Sequence, residues 1–153
     1  MVFLGTTVDR RRRTLVARLE AEFARHAVSV QIHDGSPQRG FCFDEARTLL
    51  LNRAKILLNI MRQPWDDPVH RMLLAAANGA LLLSEPLAPD SVGPFAVGEH
   101  LVTAEIVDLG AAVSYYASHP VERERIARQA FELVTGELTI ERMCARLLDT
   151  LGK

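Results

Sequence analysis

Lys55 to Ser84 reads KILLNIMRQPWDDPVHRMLLAAANGALLLS, and it decides the fold. Ile56, Leu57, Leu58 and Ile60 form a short apolar block, the mark of a strand covered on both faces in a parallel sheet. Asn59 interrupts the block near its end. Asp67-Pro68 is a helix start: a carboxylate can cap free amides, and proline loses nothing at the first helical position. Gly79 ends that helix. Its inward stripe is expected to be Val69, Leu73, Ala76 and Ala77, with Ala75–Ala77 small enough for close packing on a sheet. Ala80 to Ser84 is then a second buried strand.

Working outward, Val2–Leu4 reads as a strand ending at Gly5, Thr6 and Thr7. Asp9 can cap a helix carrying Leu15, Val16, Leu19 and Phe23. Val28–Ile32 is a second strand closed by Asp34 and Gly35, and Ser36–Gly40 is a loop. Phe43–Arg53 is helical. After Ser84 comes a long loop with Pro86, Pro89, Gly93, Pro94 and Gly98, where function tends to sit. His100–Thr103 is the fifth strand and Ile106–Ser118 the next helix. Pro120 opens another helix, with Val121, Ile126, Ala127, Ala130 and Val134 inward, and Thr139 caps a last one through Leu151. Strands alternating with helices give right-handed crossovers, hence a Rossmann-like three-layer α/β/α domain with a mostly parallel sheet of about five strands. Ligands of such sheets bind beyond the carboxyl ends of the strands. Those ends are Gly5–Thr7, Asn59–Asp66, Ser84–Gly98 and Thr103–Glu105.

The chain has 153 residues, 48% of them hydrophobic, and a formal net charge of -1, enough for one domain with a real core. The near-neutral balance argues against a general nucleic-acid binder, since Arg10–Arg13 is only a local cluster. Cys42 and Cys144 lie far apart without metal-ligand spacing and read as reduced thiols of a cytoplasmic protein. No apolar run reaches the ~20 residues that span a bilayer, and no signal-peptide pattern opens the chain. Only Lys55 and Lys153 are lysines among 18 basic residues, a bias that fits a high-GC genome.

Several chemistries are excluded at the turns. Gly5 is followed by no second or third glycine of a G-x-G-x-x-G dinucleotide fingerprint, and there is no G-x-x-x-x-G-K-[ST] phosphate loop. A receiver domain would have acids where Thr6, Thr7 and Asn59 stand. His26, His33, His70, His100 and His119 are too scattered for a metal centre, and there is no G-x-S-x-G elbow.

Five segments together resemble the carboxy-terminal, donor-binding domain of GT-B glycosyltransferases, in the "glycosyl transferases group 1" or CgeB-like branch. In order they are FLGTTVDRRR, KILLNI, RMLLAAANGALLLSEP, PFAVGEHLVTAE and HPVERERIARQAFELV. The resemblance covers almost the whole chain and implies binding of a nucleoside-diphosphate sugar. No resident cofactor or metal is implied; the acceptor is held by a preceding domain, absent from these residues, or by a partner protein.

Carried over position by position, the resemblance gives donor-phosphate roles to Gly5, Thr6, Arg10 and Arg11, where helix-start amides and guanidinium donors suit a diphosphate. Arg10–Arg13 also reads as a solvated first helical turn. Asn59, Ser84, Glu85, Phe95, Gly98, Glu99 and His100 complete the binding set. The family's two glutamates, eight positions apart, fall on Asp66 and Leu74, and a leucine cannot accept from ribose hydroxyls. Asp66 and Arg71 are the catalytic candidates; Arg71 also has Asp67 in pairing reach along the helix. Trp65 reads either as a base-stacking ring or as a buried anchor. Two functions follow: a glycosyltransferase donor half, inactive in isolation, or a non-catalytic half-domain serving binding or assembly.

Overall fold

The computed structural model describes residues 1–24, 28–63 and 65–151; His26 and Lys153 lie outside them. Five strands form one wholly parallel sheet: β1 (Val2–Leu4), β2 (Gln31–His33), β3 (Ile56–Asn59), β4 (Leu81–Ser84) and β5 (Val102–Thr103), in the order β2-β1-β3-β4-β5. The helices are α1 (Arg10–Phe23), α2 (Asp44–Arg53), α3 (Val69–Ala77), α4 (Leu109–Ser118), α5 (Pro120–Gly136) and α6 (Ile140–Leu151). From β1 the chain steps outward to β2, then returns to the far side of β1 at β3. That reversal opens a crevice above the carboxyl ends of β1 and β3, where doubly wound sheets bind ligands.

The apolar block at β3 is buried on both faces, as its composition requires. Ile56, Leu58 and Ile60 pack with Phe3, Val16, Leu19, Phe23, Leu109 and Val113 under α1 and α4. Leu57 points the other way, joining Val2, Leu51, Met72, Leu82 and Ala130 under α2, α3 and α5. α5 serves both layers, placing Ile126 in the first and Ala130 and Val134 in the second. This period-two division is the three-layer sandwich expected from the sequence.

Local starts and stops obey the capping chemistry. The Asp9 carboxylate accepts from Arg12 N at 3.0 Å, Asp67 accepts from Val69 N at 2.8 Å, and Thr139 accepts from Arg142 N at 3.3 Å. Gly79 leaves α3 with φ +66°, open to glycine at no steric cost.

Four expectations need correction. The buried face of α3 is Met72, Ala75 and Ala76, whereas Val69, Leu73 and Ala77 are exposed, because the helix meets α5 as well as the sheet and rotates to serve both. Val121 of α5 is exposed, and the buried face runs through Arg123, Ile126, Ala127, Ala130 and Val134. β2 occupies Gln31–His33 instead of Val28–Ile32: Gln31 N donates to Met1 O, so pairing begins where β1 begins. β5 is only Val102–Thr103, since His100 belongs to a turn, and Glu105–Asp108 forms a further turn before α4.

Candidate functional site

Two charged assemblies stand side by side in the crevice above β1 and β3. The first is a closed clamp. Glu85, the residue after β4, is buried, and its Oε1 accepts from Met61 N at 2.6 Å and from Arg11 Nη1 at 3.1 Å. Arg11 Nη2 pairs with Glu85 Oε2, and Arg11 Nη1 also donates to Met61 O at 2.8 Å. The hydrogen bond and charge of Glu85 hold the Arg11 guanidinium above its ordinary pKa, against a smaller effect of burial. Every polar atom of the Glu85 carboxylate has a partner, and α1 is tied to the ends of β3 and β4.

The second assembly is enclosed but unsatisfied. Arg12, one residue on, is 1% exposed, on the α1 face that carries Val16, Leu19 and Phe23. Its Nη1 donates to Thr6 O at 3.2 Å, its Nη2 lies 3.9 Å from Asp66 Oδ2, and its guanidinium is 6.0 Å from the Phe3 ring centre. Nε and Nη2 have no hydrogen-bond partner. Burial, reinforced by the neighbouring positive Arg71, pushes the Arg12 pKa down to about 10. Arg71 reaches the same place from α3, donating from Nη1 to Asn59 Oδ1 at 3.0 Å. Its pKa is likewise lowered, chiefly by burial. Asn59 is in turn fixed by donating to Ser84 Oγ at 2.8 Å, across the β3–β4 register that pairs these two residues.

Gly5 makes the approach of the two guanidinium groups possible. Its φ of +150° is one that side-chain-bearing residues rarely adopt, and a Cβ there would stand 3.3 Å from Arg12 Nη1 and 3.6 Å from Arg71 Nη2. Two desolvated cations therefore share one position beside a bare backbone, with Asp66 as the neighbouring carboxylate. Burial pulls the Asp66 carboxyl upward, but hydrogen bonds from the Arg62 backbone and side chain outweigh it, so its pKa is lowered. Buried like charges with free donor atoms are costly unless an anion completes them. Chemically, neighbouring guanidinium groups can supply both charge and directed donors to a phosphate-like group.

Beside Gly5 and Arg71 opens a cavity of about 270 Å³, with Leu4, Leu57 and Leu74 among its apolar lining and Phe41 and Phe43 at its rim. Asp34, at the end of β2, anchors the neighbouring loop by accepting from Thr7 Oγ1 at 3.0 Å and Ser36 N at 3.0 Å. A larger open cavity of about 1030 Å³ runs along the β2 edge from Met1 to Cys42 and is lined by none of the clustered charges.

The structure brings together Gly5, Thr6, Arg11, Asn59, Asp66, Arg71, Ser84 and Glu85 of the residues singled out in the sequence. Arg10 is exposed on the outside of α1. Phe95 is buried in the second core layer, and His100 Nδ1 accepts from Ala96 N at 3.0 Å while its ring meets Phe95 edge-on. Glu99 lies beside His100, and Gly98 N donates to Leu101 O, so these four residues shape one turn. Trp65 is exposed, and Arg71 turns to Asn59 instead of Asp67. Sequence reasoning passed over Arg12, yet its signal was present: counting back four from Val16 lands on it, an arginine on an apolar stripe.

Among the described residues there is no cluster of three potential metal ligands, and no helix long and apolar enough to cross a membrane. No curated protein sequence matches this chain. A family model described as glycosyl transferase-like matches residues 10–149, taking in the Arg11 clamp, the Arg12–Arg71 pair, every element from α1 to α5 and most of α6. Nearly the whole chain is covered, and it belongs to the glycosyl transferase-like family.

Proposed function

We propose that this chain holds the donor of a glycosyl transfer, a nucleoside-diphosphate sugar, with the diphosphate on the Arg12–Arg71 pair. One observation carries the reading: a guanidinium 1% exposed, next to a second cation, with Nε and Nη2 free of partners. A diphosphate supplies the missing acceptors and the compensating charge together. Transfer of the sugar leaves negative charge on the departing diphosphate, and fixed guanidinium groups in a desolvated crevice stabilise that charge as it develops. Arg71 is held for this by Asn59, and Asn59 by Ser84. Asp66 keeps Arg12 oriented from the other side and presents its carboxylate toward the transferred sugar. Arg11 and Glu85 position α1 and the β4 loop, and reach the donor only through that scaffold.

A second reading, a non-catalytic binding module, is favoured by Leu74: it lines the cavity at the position where the family carries a ribose-binding glutamate. The two readings part on nucleotide affinity. In a thermal-shift panel of UDP, GDP, ADP, dTDP and CDP, a donor half gives a selective rise in Tm. Ligand at about a hundredfold over Kd stabilises the native state by ~2.7 kcal/mol. The rise is lost in Arg12→Met and kept in Arg10→Ala. No shift with any of the five overturns the donor reading and leaves the binding module.

A further inference from the structure

Resting on that donor reading, we propose that Phe41 is a stacking platform that receives the planar base of the nucleotide, in the cavity beside the guanidinium pair. Phe41 is 56% exposed, an unusual state for a phenylalanine, yet it is fixed. Gly35 N donates to Gly40 O at 2.9 Å and Gly40 N to Ser36 O at 2.8 Å, closing the loop and returning Phe41 onto Gly35. The ring lies against the bare backbone there: a Cβ on Gly35 would fall 2.1 Å from Phe41 Cζ. Gly35 also has φ +80°, so the site combines a conformation and an empty side-chain position that only glycine supplies. Phe43 flanks the platform at 5.4 Å between ring centres, tilted by 40°.

The position of the platform selects its ligand. Arg71 and Gly5 line the same cavity as Phe41, so a group attached to an anion on the guanidinium pair enters it directly. Leu4, Leu57 and Leu74 give that group an apolar wall, with His33, Arg47, Asp67 and His70 as polar neighbours in the same lining. A flat heteroaromatic base stacks by a whole face on the fixed Phe41 ring and has edge atoms for the polar neighbours, whereas a sugar has no flat face to lay on it. The cavity is thus assigned to the nucleoside, and the sugar to the opposite end of the diphosphate, on the Asp66 side. Leu74 in place of a carboxylate fits a site that gains affinity by stacking on the base instead of by grasping the ribose.

Calorimetric titrations of UDP, ADP and inorganic pyrophosphate test this on the wild-type chain, Phe41→Ala and Gly35→Ala. Both substitutions are expected to weaken the tighter nucleotide by about tenfold or more, the scale of lost base stacking, while pyrophosphate affinity is unchanged. Phe41→Trp, which keeps a stacking face, retains the nucleotide affinity. Circular dichroism and thermal unfolding confirm that each variant is folded. Equal nucleotide affinity in wild type and Phe41→Ala, with pyrophosphate still bound, overturns the platform alone. Failure of pyrophosphate to bind the wild type removes the guanidinium site, and the donor reading and the platform fall together.

Discussion

Arg11 and Arg12 are neighbours on one helix and face opposite situations. Arg11 shares its charge with a buried carboxylate and a carbonyl, and it is still about a third exposed. Arg12 is fully enclosed, with one bond to Thr6 O, an oblique approach to Asp66 and two idle nitrogens. A satisfied buried charge fixes two elements to each other, whereas an unsatisfied one leaves donors that a bound group or water would complete. The pair of neighbours thus contrasts a closed ion pair with the proposed site within a single helical turn.

That separation breaks first at Glu85. Glu85→Ala strips the acceptor from Met61 N and leaves Arg11 without its carboxylate. Breaking a buried pair costs several kcal/mol, and since Arg11 reaches solvent the expected loss is toward the low end, about 2–3 kcal/mol. In a chain of this size that lowers Tm by roughly 5–10 °C, read by circular dichroism. A negligible change in Tm together with lost nucleotide affinity would move Glu85 from the scaffold to the site.

The complementary substitution, Arg12→Met, carries the opposite sign. Methionine fills a similar volume without two buried, partnerless donors, so stability is expected to hold or rise by about 1 kcal/mol. Affinity for a nucleoside diphosphate should drop at least about tenfold, the scale of a charge-assisted contact to an anion. Denaturant unfolding and titration of the same sample measure both. A variant destabilised as much as Glu85→Ala and still able to bind would make Arg12 a structural residue and erase the contrast.

How much of this could be read from the chain varies by region. β3 and β4 were legible because a strand buried on both faces needs an unbroken apolar block, and Ile56–Leu58 and Leu81–Leu83 can be little else. α1 and the start of α5 followed from a cap and a proline. The face of α3 was not legible, since three consecutive alanines fit any rotation and the neighbouring α5 decides it. The site was half legible. Turns at strand ends point to where the charged residues cluster, but which of Arg10, Arg11 and Arg12 turns inward depends on which way α1 rolls, and only the Val16-Leu19-Phe23 stripe carries that information. Glu85 was read as a binding residue in a loop; its enclosure by Met61 and Arg11 arises from contacts 24 and 74 positions away in sequence. Phe41 depends on loop closure at Gly35 and Gly40, which no periodicity encodes. In α6 the stripe of Ile140, Met143, Leu147, Leu148 and Leu151 is plain in the sequence and exposed in the structure, so periodicity names an apolar face without naming its cover.

The subtlest difference between the two arginines is in titration. Arg11 is held above its ordinary pKa, so it stays charged at any pH at which the protein is studied. Arg12 has its pKa lowered to about 10, chiefly by burial. A base whose folded pKa lies below its unfolded value binds fewer protons in the native state across the intervening window. Stability from this group therefore rises as pH climbs from about 10 toward the ordinary guanidinium value, the reverse of a base that gains a partner on folding. Ligand binding has the opposite slope, because an anion needs the charged guanidinium and itself favours that form. ADP, whose base stays neutral in this range, should bind with constant affinity at moderately alkaline pH and more weakly as pH passes about 10. Arg12→Met should bind it weakly and with no such inflection. An inflection surviving in Arg12→Met would assign the titration to another group, and a flat wild-type profile would mean that the bound anion lifts Arg12 back out of the accessible range.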